Sequence, residues 1–199
     1  MYLQIIPSVL FSLFLLVNTT LGQDTKGEQE TIISSSQIRV MSYNIRYNTP
    51  NDGINAWPNR KDYVADLIGT KYQADIIGLQ EARIGKIDDL QKRLPEYVWV
   101  GQGRDDGKNA GEFSPIFYRK DKFELLEDNT FWLSKTPGVP GSKSWDASIT
   151  RIVTWARFRE KETGRVFYFF NTHFDHRGKQ ARYESAKILK KRITEVSKD

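Results

Sequence analysis

The order of strand-like and helix-like segments is the feature that most restricts the fold of this chain. Residues 38–45 alternate apolar and polar side chains, and residues 74–81 form an apolar run; both predict strands. Between them, residues 60–72 show helical spacing, with Asn59 as the expected N-cap. The later segments are a helix at 86–94, strands at 97–101, 113–120, 122–134, 150–160 and 165–173, and an amphipathic helix at 179–196. This order indicates a layered α/β sandwich with a mixed sheet rather than a doubly wound fold.

The absence of cysteine means that a hydrophobic core has to stabilise the fold. The chain has 199 residues, of which 39% are hydrophobic and none is cysteine, so disulfides and a thiol nucleophile are excluded. This length suits one domain with a core of its own. The net charge of +5 fits an anionic partner. It also fits an ordinary basic surface, because the Lys and Arg residues are scattered among acidic ones.

The amino-terminal segment is apolar and uncharged. The first 23 residues contain no Asp, Glu, Lys or Arg, and an apolar run at 9–17 is followed by small and polar residues. This pattern predicts a signal peptide at residues 1–22, and the run is shorter than the roughly 20 residues that span a membrane. We therefore expect no stable membrane span, a flexible leader at 23–37, a domain at 38–199, and a secreted or periplasmic protein. An uncleaved membrane tether is the alternative.

Polar side chains occur where three of the predicted strands end. Asn44 lies near the end of the first strand, Glu81 closes the second, and His173 closes a later one. Functional groups of sheet proteins are often found at such ends, and Mg²⁺ prefers oxygen ligands with few protein carboxylates. Glu81 with Asn44 beside it therefore predicts a site for a hard cation. Taken singly, each of the three residues would also suit a turn, a helix cap or an exposed surface.

Five stretches in this order resemble successive motifs of the endonuclease/exonuclease/phosphatase superfamily. They are "MSYNIRY", "ADIIGLQE", "PIFYRKDKFELLEDNTFWLS", "TRIVTWARF" and "FNTHFDHRGKQAR". The resemblance runs from about residue 38 to the end of the chain and is closest to secreted bacterial members. It implies a four-layer α/β sandwich and a hydrolase of phosphoester bonds, phosphodiesters in particular, that uses Mg²⁺ or Mn²⁺.

The resemblance also implies roles for the residues at the strand ends. Glu81 would be the principal metal-binding carboxylate, and Asn44 would lie at the metal or orient the substrate phosphate. His173 would face the scissile phosphate and supply a hydrogen bond or positive charge. Asp175 lies two residues farther on, so a continuing strand would place it on the same face as His173, where it would fix the imidazole tautomer.

Two arginines are the expected contacts of the substrate phosphate. A guanidinium matches phosphate oxygens, which makes Arg151 and Arg177 candidates, although either would also suit a surface charge. Members of the superfamily include nucleases, inositol phosphatases and sphingomyelinases. The expected partner is therefore a phosphoester of nucleic acid, a lipid headgroup or a sugar, and we expect a monomer.

Two alternatives compete with this interpretation. The stretch "THFDH" partly resembles the metal-binding run of zinc hydrolases, but the second histidine comes three residues after the first, and these two are the only histidines in the chain. A module that binds anionic ligands without chemistry is the other alternative. It would not require a carboxylate such as Glu81 at a strand end.

The sequence departs from the superfamily in its last part. Members carry a Gly-Asp-x-Asn motif and a Ser-Asp-His motif, which supply further phosphate-binding and water-activating residues. Neither motif follows His173, and no histidine follows His176. We therefore expect that this sequence is a fragment of a longer protein, with the C-terminal part of the domain missing.

We predict that residues 1–199 alone have little or no turnover, because half of the expected active-site groups are absent. The measurement is the rate of hydrolysis of a generic phosphodiester by the purified 199-residue chain and by a full-length relative at equal concentration. A comparable rate for the two proteins would contradict the prediction.

Overall fold

A computed structural model describes residues 37–198 of the chain. The signal peptide predicted at 1–22, and the leader apart from residue 37, lie outside the described residues. The strands are β1 (Val40–Asn44), β2 (Ile76–Gln80), β3 (Tyr97–Val100), β4 (Ile116–Arg119), β5 (Phe123–Trp132), β6 (Ile152–Glu160) and β7 (Val166–Thr172). The helices are α1 (Trp57–Asp66), α2 (Ile84–Arg93) and α3 (Lys179–Val196). Across residues 37–198 we find no helix with the length and apolar character to cross a bilayer.

Helix α1 begins earlier than the sequence pattern predicted. Asn59 was the expected N-cap, whereas the helix starts at Trp57, with Pro58 in its first turn. Proline suits this place because its fixed φ matches the helix and its missing N–H would have had no partner there. A 3₁₀ helix at Pro50–Asn55 precedes α1, and a π-helical turn at Leu67–Lys71 follows it. Trp57, the first residue of α1, is buried.

The first sheet is mixed and has the order β1-β2-β4-β3. Strands β1 and β2 run parallel with Asn44 opposite Gln80, whereas β4 pairs antiparallel with both β2 and β3. Parallel pairing brings the carboxyl ends of β1 and β2 to the same edge. The residues that follow the two strands therefore lie side by side.

The second sheet is antiparallel and has the order β5-β6-β7. The pairing of β5 with β6 contains a register shift between Leu125 and Glu127. Along β7 the side chains alternate between two apolar clusters, with Phe167 and Phe169 facing the first sheet and Tyr168 and Phe170 facing α3. This period of two is the strand pattern that the sequence predicted.

Three apolar clusters separate four layers. The first joins α1 and α2 to the outer face of the first sheet, the second lies between the two sheets, and the third joins α3 to the outer face of the second sheet. Burial of this apolar surface is the main stabilising contribution to such a fold. The expected four-layer α/β sandwich is confirmed.

A buried amide connects the two sheets. Asn171 of β7 donates from Nδ2 to the carbonyls of Leu79 and Pro115, at 2.8 and 2.9 Å, and its Oδ1 accepts from Gln80 Nε2 at 2.7 Å. Gly78 leaves room for this contact, since a Cβ there would lie 2.7 Å from Asn171 Cγ. The sheets are therefore held in register by polar contacts as well as by apolar packing.

We predict that Asn171→Ala lowers the free energy of unfolding by about 2–4 kcal/mol, because it removes three hydrogen bonds between buried groups. Urea denaturation of the chain measures this. Asn129→Ala, at an exposed position of β5, is the matched control and should change the stability by no more than about 0.5 kcal/mol.

The close approach of Asn171 to Gly78 allows a second test of the role of Asn171. Gly78→Ala should destabilise the parent chain, whereas its cost should shrink when Asn171 is already alanine, since the two side chains no longer collide. Equal costs in both backgrounds would show that Asn171 is not the group that Gly78 accommodates.

Candidate active site

The carboxylate of Glu81 and the amide of Asn44 meet at the shared edge of β1 and β2. Asn44 Nδ2 donates to Glu81 Oε1 at 2.8 Å, and the backbone N–H of Tyr47 donates to Glu81 Oε2. Burial alone would raise the pKa of Glu81, but the hydrogen bonds from Asn44 and Tyr47 outweigh it and hold the pKa below its ordinary value. Glu81 is therefore ionised at neutral pH and aimed at Asn44.

A residue with a left-handed backbone conformation follows each of the strands β1 and β2. Glu81 has a φ of 59°, and Arg46, two residues after Asn44, has a φ of 60°. Side chains other than glycine rarely adopt this region, and such strain is concentrated at functional sites. The turn at Glu81 breaks strand β2, so that its carboxylate points toward β1 instead of continuing the alternation of the strand.

His173 approaches the same carboxylate from the second sheet. Its Nε2 lies 3.8 Å from Glu81 Oε1, and its side chain is one-third exposed. Burial, followed by the positive charge of Arg151, lowers the pKa of His173, and Glu81 opposes this shift only in part. His173 is therefore a neutral imidazole near pH 7 in this arrangement. The expectation that Asn44, Glu81 and His173 lie close together agrees with this geometry.

Contrary to the sequence prediction, the Asp175 carboxylate makes no hydrogen bond with His173 in the described part of the chain. Strand β7 ends at Thr172, so the alternation that would have placed the two residues on one face stops before either. The Asp175 carboxylate instead accepts from the backbone N–H groups of Arg177 and Gly178 and, at Oδ2, from the backbone and hydroxyl of Ser148. Its hydrogen bonds thus join the long loop before β6 to the start of α3.

The electrostatic environment of Asp175 favours the ionised form. Burial opposes ionisation, but the N–H donors from Gly178 and Arg177 and the hydroxyl of Ser148 hold its pKa far below the ordinary value. Arg151 Nε lies 3.7 Å from Asp175 Oδ2, with both side chains buried. Asp175 therefore acts on Arg151 rather than on the His173 ring.

The two candidate phosphate-binding arginines have different surroundings. Arg151 lines a small cleft together with Glu81 and His173, and its side chain is 5% exposed. Its Nε is buried and makes no hydrogen bond in the described part of the chain. Arg177 is exposed at the start of α3 and does not line this cleft. The geometry therefore favours Arg151 over Arg177 as a contact of a bound anion.

The donor set at Glu81 fits a hard divalent cation. The ionised carboxylate of Glu81 offers oxygen ligands, and Mg²⁺ commonly binds one or two carboxylates while it keeps several waters. Asn44 presents its Nδ2 to Glu81, and its Oδ1 accepts from the backbone N–H of Arg46 at 2.8 Å. No three His, Asp or Glu side chains within residues 37–198 converge as a more complete metal cluster would require. Glu81 would thus hold a cation whose remaining ligands are waters and substrate oxygens, and Asn44 orients the Glu81 carboxylate.

The "HFDH" stretch does not converge on one point. Arg151 Nη2 donates to His176 Nδ1 at 3.1 Å, whereas the Asp175 carboxylate is occupied by backbone and Ser148 donors. His173 faces Glu81 on the other side of the cleft. These contacts disfavour the zinc interpretation, because a zinc site needs its nitrogen and oxygen ligands around one centre.

Three charged residues near the site were not singled out from the sequence. Arg104 and Glu112 line the cleft and form an ion pair of 2.8 Å. Lys86 of α2 is buried, and its ammonium donates to the backbone carbonyls of Ile45 and Arg46. Burial, followed by repulsion from Arg60, lowers the pKa of Lys86 to about 8. For Arg104 and Glu112, the only local sequence signal is the glycine-rich segment around them, which is typical of an irregular loop. No such signal marks Lys86.

Comparison with known proteins agrees with the fold. Residues 41–190 match the Endonuclease/Exonuclease/phosphatase family. The chain belongs to this family. An uncharacterized protein of Acanthamoeba polyphaga mimivirus, L388, is 30% identical over 147 residues, which are 69% of this chain and 54% of that protein.

Solved structures of family members resemble this chain closely. An endonuclease/exonuclease/phosphatase from Bacteroides vulgatus is 48% identical with a TM-score of 0.75, over 79% of this chain and 59% of that one. A mannosyl-6-phosphatase from Bacteroides thetaiotaomicron VPI-5482 is 43% identical with a TM-score of 0.79, over 81% of this chain and 61% of that one. The chain therefore spans about six-tenths of the length of these two family members.

We predict that Asp175→Asn lowers the free energy of unfolding at pH 7 by about 3 kcal/mol, because it leaves the buried Arg151 without its counter-charge. The folded-state pKa of Asp175 lies below the value of about 3.9 of an unfolded aspartate. The parent stability due to this carboxylate is thus present above about pH 4 and is lost as the pH falls through the folded-state pKa.

Denaturation of parent and variant between pH 3 and pH 7 measures this difference. The gap between the two proteins should be widest at pH 7 and should narrow toward pH 3. Asp66→Asn, on the exposed surface of α1, is the matched control. A gap that stays constant over this range would show that the charge of Asp175 is not what stabilises the loop.

Proposed function

We propose that the full-length protein is a phosphoester hydrolase that uses a divalent cation, Mg²⁺ or Mn²⁺, held at Glu81. The observation that carries the proposal is the meeting of Asn44, Glu81 and His173, which lie at or directly after the ends of strands in two different sheets. Membership of the family supports the same reaction class.

Each of these residues has a separate role in the proposed phosphoryl transfer. Glu81, oriented by Asn44, would hold the cation, which when bound supplies Lewis-acid polarisation of a phosphoryl oxygen. His173, a neutral imidazole, donates a hydrogen bond from its protonated ring nitrogen to an oxygen on which negative charge develops. Catalysis of phosphoryl transfer rests mostly on such positioning and electrostatic stabilisation.

Arg151 is the proposed contact of a substrate phosphate oxygen. Arg151 lines the cleft together with Glu81 and His173, and a planar guanidinium matches the oxygens of a phosphate. Asp175, whose Oδ2 lies 3.7 Å from Arg151 Nε, holds the guanidinium in place and is thus a positioning residue. Arg177, exposed at the start of α3, remains a proposed contact only for a larger substrate.

A sugar phosphate is the first substrate class to test. The mannosyl-6-phosphatase of B. thetaiotaomicron is 43% identical to this chain, and the basic surface suits an anionic ligand. Nucleic acid and lipid headgroups also have to be tested as substrates, since family membership does not distinguish between these substrate classes. We also propose that residues 1–22 are removed, that residues 38–199 form one domain, and that the protein is secreted and monomeric.

We predict that Glu81→Gln in the full-length protein lowers kcat at least about 100-fold, because the amide keeps the size of the side chain but loses the charge that binds the cation. Initial rates at increasing Mg²⁺ concentrations measure this, with a hexose 6-phosphate, an oligonucleotide and a phospholipid as substrates. The variant should also need a higher Mg²⁺ concentration for half-maximal rate.

Glu124→Gln is the matched control for this experiment. Glu124 lies on β5, about half exposed, in an ion pair with Arg159, and its loss should leave the rate unchanged. If the parent and both variants bind the anionic ligands but hydrolyse none of them, the protein is a binding module. Full activity of Glu81→Gln would contradict a metal at Glu81.

A further inference from the structure

Two strained backbone segments lie next to each other at the active site. Arg46 and Glu81, which follow β1 and β2, both have left-handed φ values, 60° and 59°. In this conformation their carbonyl groups turn toward the same interior position as the carbonyl of Ile45. Three converging carbonyl dipoles repel one another, so the arrangement needs a positive group at their centre.

The ammonium of Lys86 occupies that centre. Its Nζ donates to the carbonyls of Ile45 at 3.3 Å and of Glu81 at 3.5 Å, and it also donates to the carbonyl of Arg46. An ammonium has three donors, so the three carbonyls match its full capacity. The residue is 2% exposed, which leaves little room for water to take over these contacts.

The ring of Trp57 completes the surroundings of the ammonium. The Nζ of Lys86 lies 4.6 Å from the ring centroid, within the range of a cation–π interaction. Trp57 is itself buried and donates from its indole N–H to Asp89 Oδ2 at 2.9 Å. Helices α1 and α2 together therefore place the ammonium under the two strand ends.

We propose that Lys86 is a positioning residue of the active site: it holds the backbones of Arg46 and Glu81 in their left-handed conformations and thereby aims the Glu81 carboxylate at Asn44 and His173. The inference rests on the proposed function, because it assigns to Lys86 the geometry of the cation site. Lys86 does not touch the substrate, since its donors all face backbone carbonyls.

The arrangement distinguishes Lys86 from an ordinary buried lysine. An ordinary one would pair with a carboxylate side chain, whereas the contacts of Lys86 run to three main-chain oxygens at the ends of two strands. The carbonyl of Ile45 also accepts from Arg60 Nη2 at 3.3 Å. The carbonyls of Arg46 and Glu81 are therefore the two whose orientation depends most on Lys86.

The test is the affinity of the full-length protein for Mn²⁺, measured by isothermal titration calorimetry without substrate. Lys86→Met keeps the length and apolar stem of the side chain but removes its donors. We expect its Mn²⁺ affinity to fall about 10–100-fold, the range found when a group that orients a metal ligand is removed. Lys92→Met, exposed on the same helix, should bind Mn²⁺ as the parent does.

Two further variants separate positioning from stability and from the proposed function. Leu90→Ala, which removes a fully buried side chain of α2, should destabilise the fold but leave the Mn²⁺ affinity of the folded protein unchanged. Glu81→Gln should weaken Mn²⁺ binding at least as much as Lys86→Met. If Glu81→Gln binds Mn²⁺ normally, the proposed metal site is wrong. If only Glu81→Gln is weakened, the inference about Lys86 is wrong.

Lys86→Arg keeps the inference testable if Lys86→Met does not fold. Arginine retains the charge and the contact with the Trp57 ring, but its planar fork cannot place three donors where the ammonium has them. We expect a folded protein with Mn²⁺ affinity at least about 3-fold below that of the parent, smaller than the loss for a variant without donors. An unchanged affinity in this variant overturns the proposal.

Discussion

The contact between Asn171 and the backbone of the first sheet is the interaction on which the rest of the structure depends. Two stacked sheets held by apolar side chains alone can slide, because the hydrophobic effect has no direction. The Asn171 amide has a direction, and it pairs with the carbonyls of Leu79 and Pro115. It lies two residues before His173, and Leu79 lies two residues before Glu81, so this contact sets the distance between the two functional residues.

The site combines a rigid frame with local strain. Glu81 and Arg46 adopt unfavourable backbone conformations, and the surrounding contacts stabilise them, with Lys86 on one side and the hydrogen bonds of Asn44 and Tyr47 on the other. Strain of this kind persists only where neighbouring groups over-determine the conformation. The result is a carboxylate that is ionised and oriented before any ligand arrives.

Much of the fold and part of the site followed from local pattern. The apolar periods predicted the strands and α3, and polar residues at strand ends made Asn44, Glu81 and His173 candidates, whose roles stay predictions. The expected position of Asp175, on the same face as His173, was wrong because it required β7 to continue past Thr172. The residues next to Thr172 carry no sequence signal that shows where the strand ends. Lys86 was missed because its segment reads as an ordinary surface helix. Its carbonyl partners, Ile45 and Arg46, lie some forty positions earlier in the chain.

Local sequence and long-range contacts thus determine different parts of this protein. Hydrophobic period and residue type act over a few neighbours, so the sequence alone indicated the α/β layers and placed Asn44, Glu81 and His173 at strand ends. The cation site that these residues suggest stays a prediction. Burial and pairing depend on groups far away in the chain. Only the tertiary structure decided that Asp175 binds the loop at Ser148, that Arg151 faces the cleft and Arg177 does not, and that a lysine lies beneath Glu81.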